Sequence, residues 1–224
     1  MILREVTYIA VILRILVAVI FGGLIGLERG LKHRPAGMRT YMLVCVGACL
    51  IMLTNQYLFQ VTSTGDPMRL GAQVVSGIGF LGAGTIIVTK HNQIKGLTTA
   101  AGLWSAAGVG LALGVGFYEA ALVAGVAVFT VLTLLQRLDN KMRSKTKFLD
   151  LYIEFSQDVS LGTLIQSLRE MGLEVSDLQN EPASAFDGNS RGLVVSLRAK
   201  KRTNHLLLME QIEKVPGILH LEEL

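Results

Sequence analysis

The run TYIAVILRILVAVIFGGLIGL, residues 7–27, contains a single charged residue, Arg14, and is otherwise mostly apolar. A helix needs about 20 mainly apolar residues to cross the hydrocarbon core of a bilayer. A cleaved signal peptide has a positively charged segment before an uninterrupted apolar region. This run has neither feature, because the residues before it carry no net positive charge and Arg14 interrupts it. We therefore expect a first membrane span that is retained.

Four more runs of similar character follow along the chain, at about 41–60, 70–89, 97–115 and 118–136. The hydrophobic fraction of 51% and the mean hydropathy of +0.50 are high for a soluble protein. Through residue 147 the chain has 14 Lys and Arg against 5 Asp and Glu, whereas the remainder has 7 against 12. The basic part is also the apolar part, which favours a membrane over nucleic acid as the partner.

The connections between these spans predict an orientation. Basic residues collect in the connections 28–40 and 90–96 and in the stretch 137–147, whereas the alternate side has only Arg4 and Arg69. Loops rich in Lys and Arg stay in the cytoplasm. The sequence thus predicts an all-α bundle of five transmembrane helices over residues 1–140, with the N-terminus outside and the C-terminal part in the cytosol.

Small residues are frequent in the predicted spans, especially in the third and fourth. In lipid, small residues let helices approach closely, and this packing drives their association. In the third span the glycines would also permit a helix break that coordinates an ion. Close packing is the commoner explanation, and we assign this role to Gly22, Gly26, Gly77, Gly79, Gly82, Gly84, Gly110 and Gly114.

Beyond residue 148 the pattern changes to short strands and two amphipathic helices. The strands are FLDLYIEF, LEVSDLQ, GLVVSLRAK and ILHLEEL, and the helices cover about 160–171 and 203–214. We expect Ser160 to cap the first of these helices and Gly172 to end it. The order βαββαβ predicts a small α+β domain with a ferredoxin-like fold over 148–224. In topology it resembles an ACT-type regulatory domain, which would bind a ligand or dimerise, or else form a cap that stabilises a dimer.

Arg14 is the one ionisable residue placed well inside a predicted span, near its middle. Charges at this depth are costly and mark functional sites. A divalent cation prefers carboxylate or carbonyl oxygens as ligands, and Arg14 would repel it. Two roles stay open for Arg14: it snorkels or pairs with polar groups inside the bundle, such as Asn55, Gln73 or Ser76, or it binds an acidic group of a partner or an anion.

Other polar candidates lie near the ends of the spans. Glu28 and Arg39 could pair across the first connection or form plain loop salt bridges, and Thr98 and Thr99 could cap the fourth span. We find no phosphate-binding loop and no HExxH or CxxC motif, so we expect no catalytic residue and no cofactor, with Mg²⁺ open as a ligand or signal. The intramembrane candidates are Arg14, Glu28, Arg39, Thr40, Asn55, Gln73, Ser76, Thr98 and Thr99.

Three blocks of sequence resemble the MgtC/SapB family of bacterial membrane proteins: GGLIGLERGLKHRPAGMRTYMLVCVGACL, AQVVSGIGFLGAGTII and GLTTAAGLWSAAGVGLALGVGFY. The resemblance covers roughly residues 10–135, nearly the whole membrane half of the chain. The resemblance implies an inner-membrane protein linked to growth at low magnesium and, in pathogens, to survival inside host cells. The residues that match the family pattern are Glu28, Arg29, Ala36, Gly37, Arg39, Thr40, Gly77, Gly79, Phe80, Gly82, Gly84, Gly96, Leu97, Thr98 and Thr99.

Two functions compete on this sequence. The first is a non-enzymatic regulator of magnesium homeostasis that binds a partner membrane protein, with a homodimer as the expected assembly. The second is a transporter or channel for Mg²⁺ or another small ion, with its pathway at a dimer interface. A lone buried cation without mid-span carboxylates favours the first, and an enzyme is disfavoured because no site is recognisable.

Overall fold

The computed structural model describes residues 5–89, 93–135, 138, 148–181, 190–199 and 205–223. The chain divides into two compact units, Met1–Val88 with Ile94–Gln136, and Thr89–Gln93 with Arg137–Leu224. We call the first the membrane unit and the second the sheet unit. Most of the basic stretch 137–147 and the predicted loop around 182–189 lie outside the described residues.

Long apolar helices build the membrane unit. They are α1 (Tyr8–Leu31), α2 (Met38–Thr62), α3 (Arg69–Ala83), α4 (Leu97–Val115) and α5 (Tyr118–Thr130), the last continued by a π-helical turn over Val131–Leu135. In the described part of the chain, four of them are long and apolar enough to cross a bilayer: α1, α2, α4, and α5 with its π-helical turn. A membrane helical domain is therefore confirmed.

The helix of the third predicted span is shorter than expected. With 15 residues, α3 is about 22 Å long, less than the roughly 30 Å of a hydrocarbon core. After α3 the chain forms a hairpin of β1 (Ile87–Val88) and β2 (Ile94–Lys95). Gly96 follows with φ of 102°, and a Cβ there would overlap the carbonyl oxygen of Thr85. Glycine at this position allows the hairpin to close directly onto α4.

Glycine contacts show that α1 and α2 run antiparallel. A Cβ on Gly22 would lie 2.7 Å from Met42 Cα, and one on Gly26 would lie 2.6 Å from Met38 Cα. The later residue of α1 thus meets the earlier residue of α2. No side chain larger than hydrogen fits at either contact, so the two backbones touch directly.

Glycine contacts likewise show that α2 and α4 run parallel. Gly110 of α4 lies against the Cys45 carbonyl of α2, and Gly114 lies against the Cys49 carbonyl four residues later. Cys45 and Cys49 are both free and buried.

The direction of α3 is opposite to that of α2 and α4. Gly71 at the start of α3 lies near Met52, late in α2, whereas Gly82 at its end lies near Ala100, early in α4. Antiparallel α3 therefore links the end of α2 back to the start of α4.

The sheet unit is an α+β domain, as predicted. Its elements in chain order are β3 (Phe148–Ser156), α6 (Leu161–Glu170), β4 (Leu173–Glu181), β5 (Ser190–Ala199), α7 (His205–Glu213) and β6 (Ile218–Glu223). The strands form one antiparallel sheet in the order β4-β5-β3-β6. The core between sheet and helices includes Leu151, Ile153, Leu164, Leu168, Leu193, Val195, Leu197 and Ile212.

The predicted boundaries of α6 are confirmed. The Ser160 hydroxyl accepts a 3.1 Å hydrogen bond from the Thr163 backbone N–H and so caps the helix. Gly172 follows the helix with φ of 81°, a left-handed conformation that favours glycine.

Candidate functional site

Arg14 is 0% exposed and holds together one end of the membrane unit. Its Nη1 donates to Gln56 Oε1 over 2.8 Å and to the Gly114 carbonyl over 2.7 Å. Its Nε donates to the Tyr118 hydroxyl over 3.1 Å, and Nη2 to the Glu5 carbonyl over 3.4 Å. We call these five residues the Arg14 cluster. They connect α1, α2, α4, α5 and the segment before α1.

The Arg14 cluster satisfies the end of α4. The last carbonyls of a helix have no intrahelical partner, and in a membrane they need another donor. The Ala112 and Leu113 carbonyls accept from the backbone N–H groups that follow the helix. The Gly114 carbonyl accepts from Arg14, and the Val115 carbonyl accepts from Gln56 Nε2 over 2.9 Å. A guanidinium at this position also neutralises the negative end of the helix dipole.

The structure therefore differs from the prediction for Arg14. Arg14 lies at one end of the bundle, beside the short connection from α4 to α5, rather than near its middle. The described partners of Arg14 include Gln56 in place of Asn55, Gln73 or Ser76. Asn55 itself donates to the Pro67 carbonyl and fixes the connection between α2 and α3. These details depend on where neighbouring helices end, which a linear pattern does not give.

At the opposite end of α4 a second guanidinium is buried. Arg29 is 2% exposed, and its Nη2 donates to Thr99 Oγ1 over 3.3 Å. The Tyr41 hydroxyl donates to the Thr99 carbonyl over 3.4 Å. With Glu28 and its ion-pair partner Lys32, these residues form what we call the Arg29 cluster.

Glu28 pairs with Lys32, one helical turn along α1, and the proposed Glu28–Arg39 pair is wrong. Helix α1 continues to Leu31, which keeps Glu28 and Lys32 on the same helix face at i,i+4. Both carboxylate oxygens of Glu28 are shielded from solvent.

Arg29 and Tyr41 belong to this cluster but are not among the intramembrane candidates predicted from the sequence. A signal for Arg29 exists: it lies on the buried stripe of α1 that also contains Arg14, and the other members of this stripe are mostly small. This stripe consists of Ala10, Arg14, Ala18, Gly22, Ile25, Gly26 and Arg29. A first span that ends at residue 27 excludes Arg29 from this stripe, whereas α1 continues to Leu31. Tyr41 had no comparable signal, because its role depends on the position of α4.

A lateral groove of about 900 Å³ lies between α2 and α3. Three predicted site residues line it: Arg39 and Thr40 near the start of α2, and Gln73 on α3. All three are exposed. The α2–α3 groove is therefore separate from both buried clusters. Its remaining lining residues are Leu43, Val44, Gly47, Ala48, Leu50, Ile51, Thr54, Leu70, Val74, Gly77, Ile78, Leu81 and Ala107.

The threonines and Ser76 have different surroundings from those predicted. Thr99 is buried in the Arg29 cluster, whereas Thr98 and Ser76 are exposed. Helix α4 begins after Gly96 with no side-chain capping bond, so the capping role considered for Thr98 and Thr99 is wrong.

Two of the predicted packing glycines have open space beside them in the part of the chain that the structure describes. A Cβ on Gly77 or Gly79 would meet nothing within 4 Å. A Cβ on Gly82 would lie at ordinary van der Waals distance from Ala100 of α4, and Gly84 lies just after the end of α3. The positions of Gly77 and Gly79 on α3 therefore stay open among the described residues.

Comparison with known proteins identifies clear relatives. The MgtC family profile matches residues 15–141. "Putative magnesium transporter YhiD" of Escherichia coli K12 is 38% identical over 155 residues, 67% of this chain and 72% of the relative. "Protein MgtC" of Brucella abortus strain 2308 is 36% identical over 217 residues, 92% of this chain and 85% of the relative. "Protein SapB" of Bacillus subtilis strain 168 is 28% identical, covering 93% and 94%. No solved structure matches the chain.

Proposed function

Because the chain belongs to the MgtC family of membrane proteins, we propose that it is a non-enzymatic bacterial inner-membrane protein that regulates a membrane partner in magnesium homeostasis. The protein would act during adaptation to low magnesium or, in a pathogen, in virulence. The printed name of the E. coli relative, "Putative magnesium transporter YhiD", supports the magnesium link. The choice of regulator over carrier depends on the charges inside the membrane unit.

The observation that carries this choice is the pair of buried guanidiniums on α1. Arg14 and Arg29 are 0% and 2% exposed and contact α4 at Gly114 and Thr99. These two positions on α4 are about 22 Å apart along the helix, so each end of the interior holds a positive charge. A divalent cation about 8 Å from one guanidinium is repelled by roughly 4 kcal/mol at an effective dielectric constant of about 20. This repulsion opposes passage of Mg²⁺ through the bundle of a single chain.

The experiment combines a growth assay with a flux assay. A strain lacking this gene is complemented with the wild-type chain in low-magnesium medium, and the same chain is reconstituted into vesicles that contain a Mg²⁺-sensitive dye. A regulator restores growth, while Mg²⁺ entry stays at the level of empty vesicles. Mg²⁺ entry clearly above empty vesicles, abolished by an inactivating variant, would overturn the proposal.

A second candidate is a carrier of Mg²⁺ or another small ion. The name of the E. coli relative connects it to magnesium transport, and α3 offers a specific feature. Gly77 and Gly79 leave the backbone of α3 open to approach, which would suit coordination of an ion by carbonyl oxygens at a dimer interface. The flux assay separates this candidate from the first.

The proposal includes five membrane crossings, with the N-terminus outside and the sheet unit in the cytosol. The parallel course of α2 and α4 supports this number. Two parallel helices that both cross a bilayer require the intervening segment, 63–96, to return across it. Ile86, Ile87 and Val88 are exposed and extend the apolar surface of α3 beyond Ala83, which helps a short helix to complete the crossing.

We also propose a homodimer with an ACT-like sheet unit. The strand order β4-β5-β3-β6 supports a ferredoxin-like fold, since the first and third strands of the unit are central. Ser76 and Gly79 are exposed on α3, and small or polar residues favour helix contacts in lipid. Disulfide cross-linking of a Gly79→Cys variant in membranes tests this: absence of any cross-linked dimer would contradict an interface at α3.

A further inference from the structure

We propose that the α2–α3 groove is a binding site for an anionic phospholipid, with the headgroup at Arg39 and an acyl chain along the groove. This site is independent of the proposed regulatory role. It requires only that the membrane unit lies in a bilayer.

The dimensions of the groove suit an acyl chain. On α2 its lining extends from Arg39 to Thr54, which corresponds to about 22 Å along the helix. One leaflet contributes about half of a hydrocarbon core of roughly 30 Å. The groove is therefore long enough to hold an acyl chain that extends through one whole leaflet. Its volume of about 900 Å³ lies within the range of specific ligand sites.

Two glycines keep this volume free. A Cβ on Gly47 of α2 or Gly77 of α3 would meet nothing within 4 Å. Around them the lining is apolar, with leucine, isoleucine and valine side chains from both helices. A hydrocarbon chain therefore suits this groove better than water does, because water there would find few polar partners.

The charge distribution selects the headgroup. Of the lining residues that the structure describes, Arg39 is the only one with an ionisable side chain, and it lies at one end of the groove. Arg39 is exposed, unlike the guanidiniums of Arg14 and Arg29, which are buried in clusters of their own. Arg34, on the connection that precedes α2, adds a second exposed cation at this end of the helix. Basic residues beside interhelical pockets attract phosphate-bearing headgroups.

The alternative occupant is a second copy of the chain, inserted between α2 and α3. The groove carries a positive charge at Arg39, and a second copy would bring an identical cation to any symmetric contact there. Like charges close together oppose such an interface, whereas an anionic headgroup complements them.

The test measures lipid binding to the full-length chain by native mass spectrometry after delipidation in detergent. The probes are dioleoyl-phosphatidylglycerol, which is anionic, and dioleoyl-phosphatidylcholine, which has the same acyl chains and no net charge. We expect about fivefold tighter binding of phosphatidylglycerol. Arg39→Gln should remove this preference while phosphatidylcholine binding persists, and Arg69→Gln, which changes an exposed arginine outside the lining, should leave it intact.

A second pair of variants tests the groove itself. Gly47→Leu with Gly77→Leu fills it and should weaken binding of both lipids at least fivefold. Gly108→Leu is the matched control, since Gly108 is a helical glycine with open space around it that does not line the groove. If the filled variant does not fold, the Arg39→Gln comparison still decides the question.

Four outcomes would overturn the proposal. They are equal binding of the two lipids by the wild-type chain, an unchanged preference in Arg39→Gln, unchanged binding in a folded filled-groove variant, and a wild-type dimer cross-linked from groove to groove. The last would assign the groove to a second copy of the chain.

Discussion

The guanidinium of Arg14 on α1 donates a 2.7 Å hydrogen bond to the carbonyl of Gly114, next to the last residue of α4. Gln56 supplies the donor for the following carbonyl, that of Val115. All four final carbonyls of α4 thus have a partner, and the chain can turn into α5 within two residues. The sequence pattern alone suggests that Arg14 is a functional charge inside the membrane. In this fold its side chain instead stabilises the end of α4.

Replacing Arg14 with Met should destabilise the membrane unit by about 2 kcal/mol. Met keeps most of the apolar volume, but it leaves the Gly114 carbonyl buried without its donor, which costs about 1–3 kcal/mol. The measurement is thermal unfolding of the purified chain in detergent, followed by tryptophan fluorescence and circular dichroism. Arg69→Met serves as the control, because Arg69 is exposed and its change should be close to neutral. Equal stability of Arg14→Met and wild type would refute the capping role.

Arg14 and Gln56 should also behave as one unit. Gln56 accepts from Arg14 and donates to the Val115 carbonyl, so removal of either residue weakens the position of the other. In a double-mutant cycle with Arg14→Met and Gln56→Met, we expect a coupling of about 1 kcal/mol. Additive effects within error would show that the two side chains act independently.

Much of the fold follows from pattern alone. The apolar run at 7–27 predicts α1 because a bilayer demands a helix of that length. The alternation in FLDLYIEF predicts β3, and Ser160 and Gly172 mark the ends of α6. The length of α3 did not follow, because Gly96, with its positive φ, permits a hairpin that hydropathy does not distinguish from a continuing span.

The candidate site was less predictable for a physical reason. The sequence identifies Arg14 as unusual, but its partners come from helices that lie 42 and 100 residues away along the chain. Glu28 pairs within its own helix, since α1 extends past residue 27. Thr99 was a candidate for capping and instead contacts Arg29 and Tyr41. Each of these outcomes depends on helix ends and crossing positions, which tertiary packing decides.

Replacement of two glycines on α4 by alanine should affect stability differently. A Cβ at Gly110 would overlap the Cys45 carbonyl, so Gly110→Ala must push α2 and α4 apart and should cost about 1–3 kcal/mol. Gly108 has open space, so Gly108→Ala should be neutral or stabilise the helix by about 0.5–1 kcal/mol. Thermal unfolding in detergent measures both. A Gly110→Ala variant as stable as Gly108→Ala would contradict the direct backbone contact of α2 and α4.

Leu168→Ala should destabilise the sheet unit by about 3 kcal/mol. Leu168 is fully buried on α6 against the sheet, and truncation of a buried leucine costs about 2–5 kcal/mol. Leu219→Ala is the control, because Leu219 is largely exposed on β6. Urea unfolding of the fragment 148–224, monitored by circular dichroism, gives both values. A fragment without a cooperative transition would contradict an independent α+β domain.

The five-crossing arrangement makes a sharp prediction for cysteine labelling. In a Cys45→Ala, Cys49→Ala background, single cysteines replace Thr64, Arg34 or Lys95, all exposed. Intact cells are treated with a membrane-impermeant maleimide. Because α2 and α4 run parallel, the segment between them must return across the bilayer, so Thr64→Cys should be labelled and Lys95→Cys protected until the cells are permeabilised. Arg34→Cys, on the other side of α2, should behave like Lys95→Cys. Labelling of Thr64→Cys and Lys95→Cys from the same side would eliminate the α3 crossing, whereas a complete reversal of the pattern would keep five crossings and invert the orientation.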